Sequence, residues 1–521
     1  MDYLRIGRAT DIEDIKERKV FRRFEIFPGA LSWFTLIGAV ILSWLAPFFV
    51  FYFLIIFVSF WLIRSVYFMF YLHSGFRKMQ KHKDVDWISK LENLSHSDYS
   101  LAINKWQDVY QLILLPNYKE QFEVIADSLE SLIESDYPKD KMIVVLSFEQ
   151  RAGIERNIVA EKIKKRFGTK FFSLLITFHP SDLPNEIAGH GANDAWAARQ
   201  AKELIIDPLG IDHKSVLVSS FDIDTRVFPK YFSCLTYHYL TTKSPTRTSF
   251  QPIPLYNNNF WEAPPFSQIS AFTATFWQIM CQERPNNLVS FSSHSMSFKA
   301  LVGVGFKQEN IIPDDSRIFW QCFFKYDGDY RVEPIFYPVS MDANIGENLL
   351  ETLKNIYKQK KRWAYGVEDI PYFLYACRKN KKVPFRKKFL RGLELIVGHW
   401  SWSTASILIF ALGWLPIFLG GTNFSYSLMA YTVPRAMSRL LTFAMLGLVS
   451  SIWVSYLLLP SAPKKHGKRK YLIFFLSWFL ISIEMIVLNA LPALEAQTRC
   501  MLGRYMEFWV TPKKRKKRLE G

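Results

Sequence analysis

Long apolar stretches flank a central region of mixed character, and the two predict different kinds of structure. Apolar residues run almost unbroken from 31 to 72. As one helix that stretch would extend about 60 Å at ~1.5 Å per residue, roughly twice the hydrocarbon thickness of a bilayer. Two spans with a turn near Pro47 fit it better. Long apolar segments return at 401–419, 433–459 and 471–491, whereas none occurs between 105 and 390. There, short apolar runs at 111–115, 142–147, 172–177 and 215–221 read as strands, and the stretches 121–133 and 154–167 between them as helices. This alternation predicts an α/β domain with a doubly wound, mostly parallel sheet. The expected layout is a polar segment 1–30, a hairpin 31–72, the sheet domain 105–390, a membrane region 395–495 and a tail 496–521.

Charge sharpens this picture. The 65 Lys and Arg residues against 47 Asp and Glu give +18, a sum that nucleic acid, anionic lipid or an anionic substrate could each account for. Many of the cations flank apolar segments: Arg18, Lys19, Arg22 and Arg23 before the hairpin, Arg77, Lys78, Lys81 and Lys83 after it. Lys464, Lys465, Lys468, Arg469 and Lys470 precede the last apolar segment, and Lys513 to Arg518 close the chain. The positive-inside rule puts all of these in the cytoplasm, and no nucleic acid is needed to explain them. Three simple crossings after a cytoplasmic domain would leave the tail outside. One segment must therefore be re-entrant or interfacial, or the chain must turn back near Pro492. Arg64, inside the hairpin, is expected to snorkel. The five cysteines form no CxxC pair and the ten histidines no HxxxH pair, so neither a disulfide framework nor a zinc site is suggested. No P-loop occurs, and Gly303-Val304-Gly305 lacks the third glycine of a dinucleotide fingerprint.

Three acidic or mixed motifs could carry chemistry. Asp222-Ile223-Asp224 follows the apolar run 215–221, which puts two carboxylates at the C-terminal end of a buried strand, where open parallel sheets bind ligands. Oxygen donors of this kind suit a hard divalent cation bridging phosphates; an acidic strand-to-loop turn is the plainer alternative. Asp84-Val85-Asp86 and Asp327-Gly328-Asp329 share the spacing without the strand and read as solvated turns. Gln359, Arg362 and Trp363 share one helix face, a combination that suits a diphosphate and a sugar ring, or else an interfacial helix with an anchoring Trp. In Asp314-Asp315 one carboxylate can keep a raised pKa, as a general base requires, although a helix N-cap has the same residues.

The order of these motifs resembles that of the membrane-integrated glycosyltransferases of family two, which include cellulose, chitin and hyaluronan synthases. There, a nucleotide-binding loop after the first strand, a DxD, an ED or TED acid and QxxRW succeed one another between transmembrane segments. In this chain they read Pro116-Asn117-Tyr118-Lys119-Glu120, Asp222-Ile223-Asp224, Asp314-Asp315 and Gln359-Lys360-Lys361-Arg362-Trp363. Phe508-Trp509-Val510-Thr511-Pro512-Lys513 looks like the FxVTxK gating loop of cellulose synthase.

The resemblance implies a GT-A type domain and a metal-dependent, inverting transfer of a hexosyl unit from a nucleotide-diphosphate sugar, UDP-linked more readily than GDP-linked, to a polysaccharide acceptor. Asp315 would be the base, and Asp222 and Asp224 would hold Mg2+ or Mn2+. Tyr118, Glu120, Glu149, Asp222 and Arg362 would bind the nucleotide sugar, while Asp314, Gln359 and Trp363 would serve the acceptor. Phe508, Val510 and Thr511 would close over the nucleotide from the cytoplasmic side of an inner, plasma membrane. The chain departs from the family in Ser147-Phe148-Glu149, where Glu149 stands for the usual Asp. It departs again in Gly189-His190-Gly191-Ala192-Asn193, where a Lys is common; His190 is expected to pack or hydrogen-bond rather than bind metal. Transfer to a lipid-linked acceptor and a catalytically silent scaffold are the rival readings.

Overall fold

A computed structural model describes residues 3–460 and 468–512; the basic loop before Lys468 and the cluster from Lys513 onward lie outside the described residues. Eight strands form one mixed sheet in the order β3-β2-β1-β4-β7-β6-β8-β5. They are β1 (Tyr110–Asn117), β2 (Met142–Glu149), β3 (Ser173–His179), β4 (Val216–Ser220), β5 (Arg226–Val227), β6 (Thr248–Leu255), β7 (Ser295–Ser297) and β8 (Arg331–Ser340). The first four run parallel to one another, as do β6 and β8, while β7 and β5 run antiparallel to their neighbours. This is the expected α/β, mostly parallel arrangement, set beside helices long and apolar enough to cross a membrane.

Period-two side-chain alternation explains why the central strands read as unbroken apolar runs. Ile113 and Leu115 of β1 pack into one core layer with the helices Phe122–Ile133 and Tyr231–Thr241. Leu112 and Leu114 pack into the other, with His190–Ala201 and Asp314–Lys325. Both faces are dry, so truncating Leu114 to Ala would cost about 2–5 kcal/mol. The chain order reverses across β1, between β2 and β4, which opens a crevice beyond the carboxyl ends of these strands.

Among the described residues, five helices have the length and composition of membrane spans: Ile15–Leu45, Pro47–Asp84, Phe385–Leu412, Leu428–Leu458 and Arg469–Leu502. The break between the first two falls at Ala46-Pro47, as expected, with Pro47 at the first position of the second helix, where its missing N–H leaves no helix hydrogen bond unmade. The fifth is hydrogen-bonded to other parts of the chain near both of its ends. Near its start Lys470 Nζ donates to Trp261 O of the sheet domain (2.6 Å), and near its end Arg22 in the basic N-terminal flank donates to Cys500 O (2.9 Å). A stretch of wider π-type turns, Glu484–Ala490, interrupts it. Ser32 Oγ donates to Gln497 Oε1 (2.6 Å), and Gln497 Nε2 to His399 O (2.7 Å), so buried polar side chains lock this helix to its neighbours.

Candidate active site

The carboxyl ends of β1, β2 and β4 carry Tyr118, Glu120, Glu149, Asp222 and Asp224 among the residues expected to act. At β4, the turn after Ser220 presents Asp222 outward and Asp224 inward. Asp222 Oδ2 accepts from Ser292 Oγ (2.7 Å). Asp224 is fully buried; its Oδ2 accepts from the backbone N–H of Asp342 (2.8 Å), and Asn258 Nδ2 bridges Asp224 O (3.0 Å) and Asp342 Oδ1 (2.9 Å). Asp342, just past β8, thus adds a third carboxylate. Asp222 and Asp224 thus offer carboxylate oxygens, hard donors of the kind that suits Mg2+ or Mn2+.

Asp314 and Asp315 open the helix Asp314–Lys325 but do not cap it. Their partner is Lys307, buried at the centre of the cluster. Its ammonium lies 2.9 Å from Asp194, 2.9 Å from Asp314 and 3.0 Å from Asp315, and donates to Ser220 Oγ at 2.8 Å. Asp194 comes from the helix His190–Ala201, which Asn193 fastens to β2 by donating to Ser147 O (3.0 Å). From the same helix, His190 Nδ1 lies 2.9 Å from Asp314 Oδ2 and Nε2 3.8 Å from Asp222 Oδ1, which links the two aspartate pairs. Gly191 permits the close approach, since a Cβ there would lie 2.6 Å from Asp314 Cβ. His190 therefore hydrogen-bonds, as expected from its sequence context.

The field inside this cluster separates the two adjacent acids. Burial alone raises the pKa of both, but Lys307 and then His190 outweigh it at Asp314, whose pKa is lowered. At Asp315, burial and the neighbouring Asp314 charge prevail over Lys307 and push the pKa up to about 6. Burial works against the imidazolium of His190, yet Asp314 raises its pKa to about 10. Asp315 keeps 25% of its side-chain surface exposed against 5% for Asp314, so only the higher-pKa acid can be reached from solvent.

Two further groups border the crevice. Glu149 at the end of β2 pairs with Arg151, whose guanidinium lies 4.5 Å from the Tyr118 ring centroid. Glu120 instead fastens the loop after β1, accepting from Asn117 Nδ2 (3.0 Å) and Tyr118 N (2.8 Å). Gln359, Arg362 and Trp363 lie on the helix Leu349–Ala364. Arg362 is turned to Phe508, 4.7 Å from its ring, and Gly189 leaves room for that ring, because a Cβ there would lie 2.5 Å from it. Trp509 meets Lys358 (5.2 Å), Val510 is half-buried and Thr511 is buried. Gln359 accepts from Asn344 at 3.5 Å, and Trp363 packs against Lys360 Nζ (5.0 Å).

Tyr118, Glu149 and Asp222 thus lie at or just past strand ends, Asp222 is linked to Asp315 through His190, Asp314 and Lys307, and Arg362 lies on Phe508, which packs on Gly189. Asp314 is buried, with its Oδ2 engaged by both Lys307 and His190. Sequence reasoning missed Lys307, Asp194, Asp342 and Arg151. Only Arg151, two residues past Glu149, carried a local signal there.

No family model matches the chain, and no curated protein matches it. Among solved structures, the mannosyltransferase PcManGT from Pyrobaculum calidifontis, in complex with GDP-Man and Mn2+, is similar over 75% of this chain and 99% of its own, with TM-score 0.42 and 14% identity. S. aureus TarS 1–349 in complex with UDP-GlcNAc is similar over 76% of this chain and 93% of its own, with TM-score 0.35 and 11% identity. GalNAc-T7 with UDP, GalNAc and Mn2+ covers 56% of this chain and 58% of its own, with TM-score 0.35 and 9% identity.

Proposed function

We propose that the protein is a membrane-integrated glycosyltransferase of the family-two type, inverting and dependent on Mg2+ or Mn2+. It would move a hexosyl unit from a nucleotide-diphosphate sugar to a growing polysaccharide at the cytoplasmic face of the membrane. One observation carries this reading: Asp222 and Asp315, 93 positions apart by residue number, meet through His190 and Lys307 beside a buried Asp224–Asp342 pair.

In this reading Asp222 and Asp224 would hold the divalent ion, which would supply Lewis-acid stabilisation of the leaving diphosphate. Tyr118 and Glu149, joined by Arg151, border the nucleotide base, and Arg362 supplies a guanidinium to the diphosphate. Asp315 takes the proton of the acceptor hydroxyl as that oxygen attacks the anomeric carbon from the face opposite the leaving group. Lys307 fixes Asp315 in place, and Asp314 anchors Lys307. Trp363 offers a stacking face to the acceptor sugar. From it, a polar track enters the apolar helices: Lys360 lies 4.0 Å from Glu484, Asn489 Nδ2 donates to Glu484 (3.0 Å), and Trp402 Nε1 donates to Asn489 Oδ1 (3.3 Å). Buried polar groups among apolar helices mark substrate paths, which favours a polymeric acceptor.

Nucleotide release by the reconstituted full chain, screened with UDP- and GDP-linked sugars and Mn2+, tests the proposal. Release with at least one donor, and product lengthening on size-exclusion chromatography, is expected. No release with any donor would favour the silent scaffold, and a single-sugar lipid product would replace the polymer.

A further inference from the structure

Two groups of metal-ligating side chains occur among the described residues. One, His190, Asp194 and Asp314, already receives a cation, the Lys307 ammonium. The other lies away from the crevice, where the end of the membrane hairpin meets the sheet domain. We propose that His82, Cys234 and His238 form a binding site for a divalent ion of the zinc class, with solvent completing the coordination.

Cys234 and His238 are four residues apart on the helix Tyr231–Thr241 and so share a face. His82, in the last turn of Pro47–Asp84, meets them, and one donor atom from each of the three lies within 4.8 Å of the others. The two imidazole centroids are 5.9 Å apart. His82 Nδ1 lies 2.8 Å from Ile335 O. A carbonyl only accepts, so Nδ1 carries the proton and Nε2 keeps its lone pair, the arrangement that orients metal-bound histidines. His238 Nε2 is buried without a hydrogen-bond partner among the described residues, a costly state that a metal bond would relieve.

A thiol and two imidazoles select zinc over the Mg2+ or Mn2+ that carboxylates prefer, so this site is chemically distinct from the crevice. Lys90 adds a repulsive positive charge nearby, so the bound form needs the Cys234 thiolate as well as the imidazoles. Neither a CxxC nor an HxxxH pattern marks the site because one ligand comes from another helix. An ion here would tie the membrane hairpin directly to the helix that backs the sheet.

Metal analysis of the full-length protein, purified in detergent without chelator, tests the site. About one zinc per chain is expected in the wild type and in D222N, and a loss to background in C234S and H238Q. Replacing zinc with cobalt should give a thiolate-to-cobalt absorption band that C234S lacks. Zinc at background in the wild type, or equal zinc in C234S, would overturn the proposal. So would cobalt titration of the wild type without a thiolate band, a readout that requires no variant to fold.

Discussion

The two aspartate pairs of the crevice share a residue type and a neighbourhood, yet their surroundings differ in kind. Asp222 and Asp224 accept hydrogen bonds from neutral donors, Ser292 Oγ and the backbone N–H of Asp342, with a further carboxylate beside them and His190 Nε2 3.8 Å from Asp222. Asp314 and Asp315 are held by a resident cation, Lys307, with His190 assisting. A group held by neutral donors keeps its negative charge for an incoming cation. One served by a built-in ammonium is already compensated, and its chemistry passes to whichever member the ammonium serves less. The difference separates the proposed binding of metal and diphosphate from the proposed proton transfer.

Breaking the second pair should have the largest effect on turnover. Asp315→Asn keeps the shape but removes the base, and nucleotide release with saturating acceptor should fall about 10²–10⁴-fold. Removing the resident cation should show first in stability. Lys307→Met leaves Asp194 and Asp314 as buried carboxylates without the ammonium and should destabilise the domain by about 3–5 kcal/mol, read by denaturation in detergent. Lys307→Met/Asp194→Asn should recover part of that loss.

The pH dependence sharpens the same contrast. Asp315 serves as base only when deprotonated, and its pKa is raised to about 6, so kcat/KM should hold above that pH and fall with unit slope below it. Lys307 opposes that rise, so in Lys307→Met the acidic limb should move to higher pH. The smallest effect is expected at the rim. Phe508→Ala removes a ring–guanidinium contact worth about 0.5–2 kcal/mol, and the tail around Tyr505 should become more open to protease in the absence of nucleotide.

How far the sequence disclosed this arrangement depended on whether the signal was local. Strands β1 to β4 were legible as unbroken apolar runs, because sheets covered on both faces demand them. Strands β6 and β8 were not: Pro252, Pro254, Pro334 and Pro338 argue against central strands, and the chain accommodates them with a register shift between Gln251 and Ile253. Asp222 and Asp315 stood out because each sits in a recognisable motif. Lys307 did not. It is one of 65 basic residues, and only its burial, a property of the folded chain, distinguishes it from the cations that flank the membrane. Asp342 is hidden in the same way, as a single acid after a strand that proline disguises.

The division of labour between the aspartate pairs is tested most directly by calorimetric binding of UDP and GDP, each with Mn2+, to the wild type, Asp224→Asn and Asp315→Asn in parallel. Asp315→Asn should bind the nucleotide preferred by the wild type with unchanged affinity, while Asp224→Asn should lose Mn2+-dependent binding. Wild-type affinity in Asp224→Asn, or loss of binding in Asp315→Asn, would contradict the account.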